Sequence, residues 1–117
     1  MSDHDPDDPV AVYMREVGSI TPLPKDEEMQ LFRQLAGAGD WDEARENVAR
    51  RIVEGHLTQV AIIAQKYSDS ETPMLDLIQE GNRGLLNAVR SFAERPIGDF
   101  TDHAAACIDE SIKKTFG

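Results

Sequence analysis

The chain has 117 residues, room for one domain with a modest core of packed helices. Its 12 basic and 22 acidic side chains leave a net charge of −10. That balance opposes nucleic acid, whose phosphates are bound by Lys and Arg displacing counterions, and suits a basic protein partner. No apolar run reaches the roughly 18 to 20 residues that span a bilayer, no signal peptide opens the chain, and one cysteine excludes an internal disulfide. The expected location is a reducing cytoplasm, with no membrane contact.

Residues 1–8 hold four Asp, a His and a Pro, and read as a disordered acidic arm rather than a metal site. A single helical domain is expected over 9–117. Asp8 and Pro9 make an N-cap and first-turn pair, and Val10, Val12, Tyr13, Met14 and Val17 supply apolar surface up to Gly18. Ser19 to Pro24, with two prolines, is a turn. Lys25 to Ala36 is predicted as a helix. Its Asp26, Glu27 and Glu28 stand at the positive end of the dipole, and Met29, Leu31, Phe32 and Leu35 form its buried side. Gly37 and Gly39 end it, and Asp40 caps the next. Trp41 to Tyr67 reads as one helix of roughly 27 residues, bent near Gly55. Along it Val53, Leu57, Val60, Ala64 and Tyr67 step by four and three, a packing seam. Ser68 to Thr72 is a loop, and Pro73 suits the first turn of the next helix.

That next helix, Leu75–Phe92, carries two lines. Leu75, Ile78, Leu85, Val89 and Phe92 make an apolar one, interrupted by Asn82; Leu77, Gly81, Gly84 and Ala88 make a narrow one. Each Gly costs a helix roughly 1 kcal/mol against Ala, so two within one turn require an offsetting gain, and close approach of another helix supplies it. Asp76, Gln79, Glu80, Arg83, Asn87 and Arg90 form the opposite polar face, with Leu86 at its margin. Beyond Glu94, Phe100, Ala104, Ile108 and Ile112 recur every four residues as core positions of a last helix. Cys107 reads as a small core residue and Lys113 and Lys114 as a solvated end. The expected fold is all-α, a compact bundle whose core lies chiefly between the two long helices.

The string Leu75–Asp76–Leu77–Ile78–Gln79–Glu80–Gly81–Asn82, followed by Gly84–Leu85 and Ala88–Val89, resembles the core-binding helix of bacterial RNA polymerase sigma factors. The match is to region two of the housekeeping-type, seventy-kilodalton class. Asp8–Pro9–Val10 with Tyr13–Met14–Arg15–Glu16–Val17–Gly18 resembles the start of that family's region one-two. Trp41–Tyr67 resembles the partner helix, antiparallel to Leu75–Phe92. The resemblance implies docking on the RNA polymerase core, at the clamp helices of the largest subunit. It supports Asp76, Gln79, Glu80 and Asn82 most directly, and Arg83 and Leu86 complete the expected surface. Departures are Pro24 for a threonine cap, His56 for asparagine, Thr58 and Gln59 for arginine and leucine, and Arg83 for a residue usually apolar.

The last helix keeps the fold half of the family pattern and loses the DNA half. His103 stands in place of a tyrosine, Ala106 and Cys107 in place of two adjacent tryptophans, Asp109 of an arginine, and Glu110 of the glutamine that reads the minus-ten element. Stacking on an aromatic side chain is worth roughly 1–3 kcal/mol per base, and Ala and Cys supply none of it. DNA binding is therefore expected to be weak or absent. The expected protein is a regulator or competitor at the clamp. An interaction module that mimics sigma toward an anti-sigma factor is the alternative, and the chain, which stops at Gly117 without the parts that read the minus-thirty-five element, is also readable as a fragment of a longer divergent sigma factor. No catalytic set, metal site or cofactor is expected.

Overall fold

Prolines and glycines divide the chain into the helices seen in the computed structural model, which describes residues 9–37, 40–68 and 71–116. The described residues form α1 (Pro9–Gly18), α2 (Lys25–Leu35), α3 (Glu43–Glu54), α4 (Leu57–Ala64), a 3-10 turn at Gln65–Tyr67, α5 (Met74–Glu94) and α6 (Phe100–Phe116). None of them is in a strand, and the fold is all-α. The acidic arm at 1–8, with the expected cap Asp8, lies outside the described residues, as do Gly39 and two residues of the loop at 68–72.

Local chemistry accounts for most boundaries. After α2 the chain leaves the helix through Gly37, whose φ of 72° is the left-handed conformation that glycine adopts without steric cost. The cap of α3 is Asp42 rather than Asp40: its Oδ1 accepts from the Arg45 N–H at 2.9 Å. Trp41 therefore stands outside the helix, with the Arg90 guanidinium 4.6 Å from its ring centre. The predicted bend at Gly55 is a complete break. The N–H groups of Gly55 and His56 bond back only three residues, to Ile52 and Val53, and the helix restarts at Leu57. Pro73 precedes α5 rather than opening it, and its carbonyl accepts from the Leu77 N–H at 3.2 Å.

The core corrects four expectations. Met29 is 57% exposed while Leu31, Phe32 and Leu35 are buried; at about 100° per residue Met29 falls well to one side of the inward line through Glu28, Phe32 and Leu35. In the broken α3–α4 segment Val60 and Ala64 are fully buried, but Val53, Leu57 and Tyr67 are only half-buried, and Ala49, Ile52, Ala61 and Ile63 do much of the packing. The tightest pairing is α5 with α6, not α5 with the preceding segment. Leu77, Leu85, Ala88 and Val89 of α5 and Ala104, Ile108 and Ile112 of α6 are all fully buried, and Phe100 is 4% exposed, each large one contributing about 1.5–3 kcal/mol. Leu75 and Phe92, at the ends of the apolar line, are half-buried.

The glycine ridge is the reason for that pairing. A Cβ at Gly84 would lie 2.7 Å from both the Cys107 carbonyl oxygen and Ser111 Cβ, so α6 rests directly on the α5 backbone. A Cβ at Gly81 would meet Val60 of α4 at 2.7 Å and Ile108 and Ile112 of α6 at 3.3 Å. Phe32, Phe92 and Phe100 then join α2 to α5 and α6, with ring centres 4.8 to 5.3 Å apart.

Candidate functional site

Packing α5 by its glycine side leaves a polar strip outward. Asp76, Gln79 and Arg83 are exposed and lie within about 60° of one another around the helix. The three other candidates are placed differently. Glu80 is only 13% exposed in its side chain against 75% for Arg83; its Oε2 accepts the Ser111 hydroxyl at 2.6 Å and its Oε1 lies 4.0 Å from Arg83 Nη1. Asn82 is half-buried and turned toward α1, donating from Nδ2 to the Tyr13 hydroxyl at 3.4 Å. Leu86 is half-buried and, with Ala49 and Val53, lines a cleft of about 240 Å³ between α3 and α5. The helical period alone identified the strip; the Ser111 contact had no signal in it.

On α6 the positions that the resemblance assigns to DNA divide in two. Ala106 and Glu110 are exposed. His103, Cys107 and Asp109 are half-buried and occupied within the fold. His103 Nε2 lies 2.7 Å from Ser91 Oγ and 3.7 Å from Cys107 Sγ. Cys107 is thus only half a core residue, and burial, then the Glu110 charge, push its thiol pKa up and keep it protonated. Asp109 Oδ1 accepts the Tyr67 hydroxyl at 2.7 Å and pairs with Lys66 Nζ at 3.5 Å. The Tyr67 bond holds the Asp109 carboxyl below its ordinary value; burial opposes it, and the Lys66 charge and hydrogen bond add to the lowering. The same bond raises Tyr67. With Gln59 Nε2 donating to the Thr101 carbonyl at 3.0 Å, these contacts tie α4 and its 3-10 turn alongside α6, running in the same direction.

Two of the departures from the family pattern meet in one half-buried cluster. Since the Gln59 amide nitrogen is spent on Thr101, its oxygen faces His56 Nδ1 at 3.0 Å, and Glu28 Oε1 faces Nε2 at 2.5 Å. Both ring nitrogens meet acceptors, the arrangement of a charged imidazolium. Burial opposes that charge, but the hydrogen bonds to Glu28 and Gln59 and the charges of Glu28 and Asp99 outweigh it, and the pKa is raised. The ring also packs edge-on against Phe100, 4.9 Å between centres. Thr58, the neighbouring departure, is exposed. Among the described residues, no three His, Cys, Asp or Glu side chains converge as a metal site, and no helix is long and apolar enough to cross a membrane.

Fold and site together define an all-helical bundle whose longest helix is gripped along a glycine ridge and shows a polar strip outward. The sequence model of the family described as Sigma-70 region 2 matches residues 52–116, from the end of α3 through α6. The chain is 35% identical over 108 residues to RNA polymerase sigma factor SigA of Lactococcus lactis subsp. cremoris, covering 92% of this chain and 29% of that protein. It is 36% identical over 107 residues to the SigA proteins of a Bacillus species and of Listeria monocytogenes, covering 92% of this chain and 27% of each. The chain belongs to the sigma-70 region 2 family, and it spans less than a third of the length of these relatives.

Proposed function

We propose that the chain is a sigma-type transcription protein that binds the core of RNA polymerase at the clamp helices of its largest subunit, through Asp76, Gln79 and Arg83 with Leu86 at the edge. The carrying observation is the exposed strip of Asp76, Gln79 and Arg83 on a helix whose opposite side is locked against α6. A rigid helix presents such groups with no backbone left to order at binding. Promoter recognition and melting are lost in this reading. The outer face of α6 offers Ala106 and Glu110 where stacking and base-reading groups would stand, and Asp109 is spent on Tyr67. The protein then acts in initiation as a regulator or competitor for the clamp.

The test is binding of the full chain to core polymerase, with the Asp76→Ala, Gln79→Ala double variant beside it. Both side chains are exposed, so the melting temperature stays nearly unchanged while affinity falls about tenfold or more. Full-strength binding by the double variant removes the docking reading. Capture of an anti-sigma factor with no binding to polymerase favours the mimic instead.

A further inference from the structure

We propose that Ser111 is a positioning residue that withdraws Glu80 from the outward strip of α5, so that a partner meets Asp76, Gln79 and Arg83 but not the Glu80 carboxylate. The inference rests on the docking reading above and says what keeps Glu80, which the family resemblance also puts on that surface, out of the strip. Position 84 makes it possible. Without a Cβ there, Ser111 Cβ comes within 2.7 Å of where that atom would be, so the hydroxyl of α6 sits beside the α5 backbone one turn below Glu80. From that place Ser111 Oγ reaches Glu80 Oε2 at 2.6 Å and lies 3.2 Å from the Glu80 backbone oxygen. An O–H group donating to a carboxylate at this distance is a short, charge-assisted bond, stronger than a neutral one.

Glu80 is held on its other side as well, since Oε1 lies 4.0 Å from Arg83 Nη1. To reach a partner it must give up the short bond from Ser111, leaving that half-buried hydroxyl only the neutral Glu80 backbone oxygen at 3.2 Å as acceptor. The face offered outward is then one acid, Asp76, against one base, Arg83, rather than an acidic patch. Ser111 thereby sets specificity, moving the strip away from strongly basic surfaces and toward partners that also present an acid to Arg83.

Carboxylate labelling of the full chain by a carbodiimide and glycine ethyl ester, read by mass spectrometry, tests the withdrawal without any partner. Glu80 should react about tenfold more slowly than Asp76, and within about twofold of it in Ser111→Ala, whose alanine suits a helix. Equal reactivity of Glu80 and Asp76 in the unaltered chain overturns the proposal, and so does slow labelling that persists in Ser111→Ala. The second arm is affinity for core polymerase. Glu80→Gln should bind within about twofold of the unaltered chain, while Ser111→Ala should change affinity by about threefold or more, a change that Ser111→Ala with Glu80→Gln cancels. A tenfold loss in Glu80→Gln alone overturns the proposal. No binding by the unaltered chain overturns the docking reading and the partner clause with it, and the labelling still decides whether Ser111 restrains Glu80.

Discussion

A methyl group added at Gly84 would meet the Cys107 carbonyl oxygen at 2.7 Å and Ile108 Cα at 3.1 Å, backbone atoms that cannot rotate away. At Gly81 the crowding atoms are Val60 Cγ1, Ile108 Cγ2 and Ile112 Cδ1, all methyl ends of side chains. The two glycines therefore differ in what they tolerate. Gly84→Ala forces α5 and α6 apart at a cost of about 1–3 kcal/mol or more, only partly offset by the helix propensity it gains, about 1 kcal/mol. Gly81→Ala is expected to cost less, about 1–2 kcal/mol, because its clashes fall on side-chain methyls that can shift slightly rather than on backbone, although fully buried Val60 has little rotamer freedom. Urea denaturation of the two variants checks this, and equal costs would show that the ridge is not gripped harder at Gly84.

At the scale of elements, α2 is pinned by His56. The ring of this single residue joins Glu28 of α2 to Gln59 of α4 and touches Phe100 at the start of α6. With its native pKa above the ordinary 6.5, the folded state holds the proton more tightly than the unfolded chain. The stabilisation is complete below about pH 6.5 and is lost as pH rises through the native value. The melting temperature of the chain should fall over that window relative to Glu28→Gln, which removes the carboxylate and leaves only the Gln59 bond and the Asp99 charge against burial; a constant difference between the two from about pH 6 to 9 would sink the idea. Much of the element plan was legible. The cost of two glycines in one turn predicted a close helix contact, and the four-residue spacing of Phe100, Ala104, Ile108 and Ile112 predicted their burial. Which helix would lie on the ridge was not legible, because the Val53–Tyr67 seam and the α6 line offered the same spacing. The Glu28–His56 pair and the Glu80–Ser111 bond were missed for a related reason: polar residues within helices look like solvated surface until a distant segment brings them a partner.

For the molecule as a whole, the charge of −10 works with the local changes on α6. Long-range repulsion of phosphate strengthens as salt is lowered, the opposite of the dependence shown by proteins that bind nucleic acid through cations. No sequence-dependent binding of minus-ten-type single strands is expected at either of two salt concentrations in fluorescence anisotropy; micromolar binding that tightens at low salt would show that the DNA function is retained. The ridge of α5 has a further consequence, for the order in which the chain folds. Only residues 95–99 separate α5 from α6, so their pairing closes a short loop, whereas Phe32 must find Phe92 and Phe100 across most of the sequence. The α5–α6 hairpin should therefore be formed in the rate-limiting barrier and α2 should dock after it. In stopped-flow kinetics Gly84→Ala is then expected to slow refolding, and Phe32→Leu to speed unfolding with refolding nearly unchanged. The reverse pattern would mean that the chain assembles from its amino-terminal helices inward.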